Sequence, residues 1–320
     1  MVRRLAYFNV VIYNFVVARP FYYNFMFQFV RETWFILFSI PLYSILIGTE
    51  ILLSNWTGKK FYSFKATIQN VYLTVLNAGL DILLRWFFYI SVLMWAYQYH
   101  FFKIENVYLY WFALFILEDV AFYFEHRVDH YCRIFWAVHV THHSSEEFNL
   151  TTGFRSSVMQ PVYRFIYFIP IVVLGFHPLD IVFMYSLTQT YGILVHTQYI
   201  NKMPRWFEAV FVSPSHHRVH HASNVRYLDK NMGMCLIIWD KMFGTFQEEL
   251  QSDRVKYGLT KPVENINNPV KIIFHEWQSI GKDMRKKISF STRLKYLFMP
   301  PGWSHDGSSK TADQIRRELL

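Results

Sequence analysis

Eleven of the fourteen histidines in this 320-residue chain fall between His126 and His221, most of them in three short boxes. The first is His126-x3-His130, the second His139-x2-His142-His143, the third His217-x2-His220-His221. Residues three and four apart on a helix share a face, so each box, if helical, aims two or three imidazoles at one place. Imidazole suits iron, zinc, copper and nickel. Eight imidazoles, or nine with His196 at the end of an apolar run between boxes two and three, are too many for one ion and about right for two. A dinuclear metal centre is expected, and any fold of this chain must bring the three boxes together. His216 duplicates His217, His177 precedes a proline, and His100, His275 and His305 lie apart, so these are not expected as ligands.

What separates the boxes narrows the fold further. A membrane helix needs about 20 mainly apolar residues. Residues 34–53, 71–97, 108–124, 158–176 and 179–195 read as such spans, with Asp81 and Arg85 four apart in the second and able to pair. The whole chain is 53% hydrophobic and 20% aromatic, too apolar for an ordinary soluble domain. The expected fold is all-α: a polytopic integral membrane protein of about four to six membrane helices with a cytosolic, histidine-rich cap. The range of counts reflects residues 5–30, which read as a further crossing or as an aromatic membrane-associated segment (1–33), without a signal-peptide cleavage site. Residues 34–250 read as the membrane and metal-site domain and 251–320 as a cytosolic tail. In that tail, 271–287 reads as an amphipathic helix lying on the membrane, and the chain from Ser304 onward as mobile.

Parity sets the sidedness. The spans form hairpins that return all three boxes to one side, together with Lys59, Lys60, Lys65, Arg285, Lys286 and Lys287. By the positive-inside rule that side is cytoplasmic, in a bacterial inner membrane or the endoplasmic reticulum. The formal charge of +9 fits anionic headgroups; no nucleic-acid motif is present. Cys132 and Cys235 form neither a disulfide framework nor a thiolate metal site.

Two redox-active metals with open positions can bind and split dioxygen and hydroxylate an unactivated C–H bond. Soluble diiron proteins commonly use carboxylates; here neutral imidazoles take their place. No His-Glu-x-x-His or Cys-His zinc pattern occurs, and a haem would leave most boxes unused. A non-redox zinc-binding or metal-transport membrane protein is the alternative from another class. Among nearby polar residues, Asp129 is placed to orient an imidazole through its second N–H. Glu146, Glu147 and Asn149 follow box two as solvated groups, helix caps or functional side chains. Glu118 and Asp119 are acids inside a span, functional by default unless buried against Arg127 or Arg155, and Asp240 reads as a turn or cap residue.

These residues resemble the membrane fatty acid hydroxylase and sterol desaturase superfamily. Its eight-histidine, three-box pattern is matched here by His126, His130, His139, His142, His143, His217, His220 and His221. Within it, Ser-Ser-Glu-Glu-Phe-Asn after box two, Ser213-Pro-Ser before box three, and the segments from Asp229 to Phe246 are similar to the alkylglycerol monooxygenase subgroup and its bacterial relatives. The resemblance runs from about Tyr108 to Trp303. It implies two non-haem irons, dioxygen, a lipid substrate and a reductant: tetrahydrobiopterin in the subgroup, an electron-donor protein elsewhere. It implies hydroxylation at the ether-linked carbon of alkylglycerol-type lipids, with sterol desaturation or hydroxylation and fatty acyl (aminolipid) hydroxylation as sister outcomes. Glu146 matches a glutamate linked with pterin use, and Asn149 stands beside it as a candidate catalytic residue. The animal members carry further apolar spans after the Pro-Gly-Trp region that this sequence does not include.

Overall fold

Helix α1 (Thr33–Trp56) is inside out by the standards of a soluble protein. Its tryptophan, leucine, isoleucine and phenylalanine side chains are mostly exposed, while its fully buried residues are the polar Glu50 and Ser54. Such a face is costly in water and suits a lipid surround. The computed structural model describes residues 31, 33–261, 263 and 268–319; the expected N-terminal segment 1–30 lies outside the described residues.

After α1 come α2 (Phe64–Leu84), a π-type turn over Arg85–Tyr89, and α3 (Ile90–Tyr97). The Asp81–Arg85 pair closes at 2.5 Å, as its spacing predicts. Helix α4 (Val107–Tyr131), capped by the Asn106 side chain on the N–H groups of Tyr108 and Leu109, runs without interruption from the third apolar segment through box one. Then follow α5 (Arg133–His143), α6 (Leu150–Gly153), α7 (Pro161–Arg164), a 3-10 turn (Phe165–Phe168), α8 (Ile169–Val173), α9 (Pro178–Leu194), α10 (Arg205–Val210) and α11 (Pro214–His220). The chain closes with α12 (Ile238–Phe243), α13 (Pro269–Met284), α14 (Phe290–Phe298) and α15 (Ala312–Leu319). Among the described residues there is no strand, only the isolated bridges Phe211–Leu236 and Ala222–Tyr257.

Helices α1, α4 and α9 run parallel. Arg31 meets Asp180, Tyr43 meets Thr190 and, further along, Glu50 meets Thr197. Likewise Tyr110 meets Asp180 and Glu118 meets Thr188. All three therefore end at the same level, and α4 and α9 deliver His126, His130 and His196 there. The return segments α2–α3 and α7–α8 reach the opposite end, where Phe101 donates to the Val173 carbonyl and Tyr97 packs on His100 and His177. There Leu93, Ala96, Leu114, Phe168 and Ile181 form the main apolar core.

The number of long apolar helices is smaller than the sequence suggests. Among the described residues two helices, α1 and α4, are long and apolar enough to cross a membrane; Pro161–Val173 is a shorter apolar helix. The fourth expected span is broken into α-helix, 3-10 turn and α-helix, with Pro161 and Pro170 at helix starts, the positions where a missing N–H costs least. Helix α13 also departs from expectation. Its apolar face is spent on protein: Ile272 and Ile273 pack on Leu73 of α2, and the Ile272 carbonyl accepts from Thr141 of α5. Nor does the chain beyond Ser304 trail free, for Arg316 of α15 donates to the Leu228 carbonyl.

Candidate metal centre

The four helical elements bring nine buried or nearly buried histidines into two adjoining groups. His126, His130, His139, His143 and His220 form one, and His142, His196, His217 and His221 the other; within each, one nitrogen per ring lies within 4.8 Å of all the rest. The partition follows helix geometry. In boxes two and three the residues four apart (His139 and His143; His217 and His221) stay in one group, and the third residue of each (His142, His220) crosses to the other. The groups touch, with His143 and His221 ring centres 4.6 Å apart. His216 stays out: it completes the capping box with Ser213 at the start of α11. His177 caps α9, and His100, His275 and His305 are outside both groups.

Hydrogen bonds at the outer nitrogens determine what the inner ones offer. Nδ1 of His126, His142, His196 and His220 faces the carbonyls of Met232, Arg155, Gly192 and Lys230 at 2.7–3.0 Å. A carbonyl only accepts, so each Nδ1 carries the proton and each Nε2 turns a bare lone pair inward. Yet His126 Nε2 lies 3.1 Å from His139 Nε2, which lies 3.1 Å from His143 Nε2. His196 Nε2 lies 2.9 Å and 3.1 Å from Nε2 of His217 and His221. Buried Nε2 atoms of His130 and His220 have no partner at all. Converging lone pairs repel unless a cation lies between them. Nitrogen ligands about 2.1 Å from one ion and about 90° apart lie about 3 Å from each other. The donor set thus fits two metal ions.

Burial, reinforced by neighbouring rings, holds His139, His143, His196, His217, His220 and His221 well below the ordinary histidine range and lowers His142 to about 4. They stay neutral, as ligands must be. The sign for stability follows. Below the unfolded value near 6.5, and for His142 down to its folded value near 4, the unfolded chain binds protons that the folded chain refuses, so stability falls as pH falls through that window. We expect the metal-free protein in detergent to lose thermal midpoint steeply from pH 6.5 to 4, and a flat profile there would contradict the burial.

Around this centre the predicted polar residues take definite places. Asp129 faces His139 Nδ1 at 3.5 Å, longer than an orienting hydrogen bond, because its oxygens are taken by Tyr163 (2.7 Å) and Gln160 (3.2 Å). Asp119 accepts from the N–H groups of Cys235 and Leu236 and the Trp239 indole; Glu118 accepts from Thr188. Neither pairs with Arg127 or Arg155. Asp240 ties Met232, Gly233 and Thr245 together, the turn role its position suggests. Asn149 is the side-chain cap of α6, bonded to Thr151 and Thr152. Glu146 does not continue along α5, which stops at His143; its side chain is exposed and lies against Gly258, and Glu147 accepts from the Ser63 N–H.

Three residues that spacing alone did not single out matter here. Asp229, held in the left-handed region at φ +55°, puts Oδ1 3.1 Å from His130 Nδ1. Arg155, fully buried, donates to the Thr141 carbonyl, Asn70 and Ser144 and so ends α5 beside box two; burial lowers it only to about 10, so it stays charged. Glu50 links Leu150 to Thr197. Beside the five-histidine group lies a cavity of about 350 Å³, lined by His130, His143, His220, Trp136, Tyr296 and Trp303 among others.

The comparisons agree with this geometry. Residues 111–245 match the fatty acid hydroxylase family model. The chain is 39% identical to human alkylglycerol monooxygenase over 194 residues, 60% of this chain and 42% of that protein. It is 34% identical to the Danio rerio alkylglycerol monooxygenase over 276 residues, 83% of this chain and 59% of that one. The ornithine lipid hydroxylase of Rhizobium tropici is 25% identical over 150 residues, 46% and 45% of the two chains. The chain thus spans about half the length of the curated relatives it matches, and no solved structure matches it. All nine converging histidines fall inside the segment that matches the fatty acid hydroxylase family model, and the chain is similar to the alkylglycerol monooxygenases over more than half of its own length.

Proposed function

We propose that this chain is a membrane lipid monooxygenase whose nine clustered histidines hold two irons, five ligands to one and four to the other, and that it hydroxylates the ether-linked carbon of alkylglycerol-type lipids. The observation that carries this reading is the convergence of neutral imidazole lone pairs in two touching groups. Two irons so held would supply activation of dioxygen, with one oxygen atom entering the C–H bond and the other leaving as water, at the cost of two electrons and two protons from a reductant. The protein's own part is positional. Carbonyls and Asp229 set the imidazole tautomers, burial shields the ligands, and Trp136, its ring 5.2 Å from that of His130 and 5.6 Å from that of His143, forms an apolar part of the cavity wall beside the ligands. The substrate carbon is presented from that cavity. Its hydroxylated form is a hemiacetal, which collapses to a fatty aldehyde and glycerol. The parity of the helices and the basic loops support a cytoplasmic active-site face.

The deciding experiment combines metal analysis of the purified chain in nanodiscs with turnover of an alkylglycerol under labelled dioxygen. We expect near two irons per chain and aldehyde release. Zinc alone with no oxygen uptake would overturn the reading in favour of a non-redox metal protein. Iron with a hydroxylated acyl chain or a sterol product would move the substrate to the sister branches.

Tetrahydrobiopterin is the reductant we assign, with Glu146 as its partner. An exposed carboxylate against Gly258, itself part of the cavity wall, is placed to accept a charge-assisted hydrogen bond from pterin N–H groups. Glu146→Ala is expected to keep its iron and raise the KM for tetrahydrobiopterin about tenfold, the loss of one such bond. If added pterin supports no turnover of the wild type, an electron-donor protein takes its place.

A further inference from the structure

Helix α14 carries an apolar stripe on its outer face. Phe290, Leu294 and Phe298 follow one another four apart, so they share a face, and they are 73%, 38% and 56% exposed. The opposite face is spent inward: Tyr296 is buried and forms part of the cavity wall beside the metal centre. Exposed basic residues accompany the stripe in sequence: Lys282, Arg285 and Lys287 shortly before α14 and Lys295 within it. The acid closest in sequence, Asp283, is already engaged by Arg133 and Lys286.

The position of α14 says what covers the stripe. The Met299 carbonyl, directly after α14, accepts from the Arg133 N–H, and the Leu297 carbonyl accepts from the Cys132 thiol. Residues 132 and 133 are the first two after α4, a helix apolar and long enough to cross a membrane. The stripe is therefore moored at the metal-centre end of that helix, about two turns or about 10 Å beyond Phe124, where its apolar segment gives way, a distance that falls within the headgroup zone of a bilayer. A short helix with aromatic and leucine side chains on one face and cations around it seats in such a surface, and the cations favour anionic headgroups.

We propose that α14 is an in-plane membrane anchor that buries Phe290, Leu294 and Phe298 among acyl chains and sets Lys287 and Lys295 against anionic lipid headgroups. It thereby holds one wall of the cavity at the lipid surface. Helix α13, whose apolar face is spent on α2 and α5, is not the anchor. The proposal is independent of which reaction the metal centre performs.

Because α1 and α4 hold the chain in the bilayer in any case, the test must be local. The full chain, with Cys132 and Cys235 replaced by alanine, is spin-labelled at Leu294→Cys or Phe298→Cys and placed in nanodiscs. Ser252→Cys, in an exposed loop, is the aqueous reference, and unchanged helicity confirms the fold of each variant. We expect the labels at 294 and 298 to be more accessible to oxygen than to a water-soluble nickel chelate, and the label at 252 the reverse. Exchanging part of the phosphatidylcholine for phosphatidylglycerol should deepen the two α14 labels, and Lys287→Gln with Lys295→Gln should abolish that response. Labels at both α14 positions as wet as the one at 252 would overturn the anchor. Dipolar broadening between labels on two chains in one disc would assign the stripe to a second copy and overturn it equally. Immersion that ignores lipid charge would overturn the assignment to anionic lipid.

Discussion

Alanine at His142 or at His220 is expected to abolish turnover, a fall of more than about a hundredfold, since even the partners behind a metal ligand are worth about 10- to 100-fold. These two positions are the most informative, because each leaves its own box to join the other group: His142 sits with His196, His217 and His221, and His220 with His126, His130, His139 and His143. Each variant should therefore lose chiefly one metal, read as iron content falling from near two toward one per chain. His100→Ala, exposed at the far end beside Tyr97, should keep both irons and full activity. His216→Ala should keep its irons while losing the capping contact at Ser213. Full activity in His142→Ala or His220→Ala would end the assignment of these rings as ligands.

Arg155→Ala should be the most damaging change away from the ligands themselves. It leaves Asn70 Oδ1 without its buried donor and takes one donor each from the Thr141 carbonyl and Ser144 Oγ, which keep their bond to each other. One buried acceptor left unsatisfied costs about 1–3 kcal/mol, and the space vacated by the large side chain adds to it, so the loss is about 3 kcal/mol. The carbonyl of residue 155 still accepts from His142 in the variant, so any loss of iron must come from displacement of the end of α5. We expect a markedly lower thermal midpoint in detergent together with depleted iron. Arg155→Lys should recover little, because one ammonium on a flexible stem cannot span three acceptors placed for a planar fork. A wild-type midpoint and iron content in Arg155→Ala would show that the clamp is dispensable.

Reading along the chain succeeded where one local pattern governs the outcome. Apolar runs at 34–53, 108–124 and 179–195 became α1, α4 and α9, because burial in lipid or core demands the same continuous hydrophobic stretch that the eye finds. It failed where two patterns compete. Residues 158–176 are apolar enough for a span, but Pro161, Pro170 and a 3-10 turn divide them. Residues 271–287 are amphipathic in the manner of an interfacial helix, yet Ile272 and Ile273 found Leu73 instead of lipid; amphipathicity says that a face will be covered, not by what. A helix continuing past box two would have carried Glu146 close to His142 and His143, but Arg155 and Ser144 occupy the Thr141 carbonyl and α5 ends first.

What the sequence by itself determined is the set of nine imidazoles and the need for a fold that gathers them. The spacing of three and four is a property of the helix, and the apolar runs between boxes leave few ways to return to one side. Only the tertiary structure decided how the nine divide into five and four, which nitrogen of each ring faces inward, and that Asp229 rather than Asp129 comes within hydrogen-bonding distance of a ring. The reason is physical. A tautomer depends on a carbonyl or carboxylate brought from a distant segment, as Met232 is brought to His126 and Lys230 to His220, and no local pattern along the chain records which carbonyl that will be.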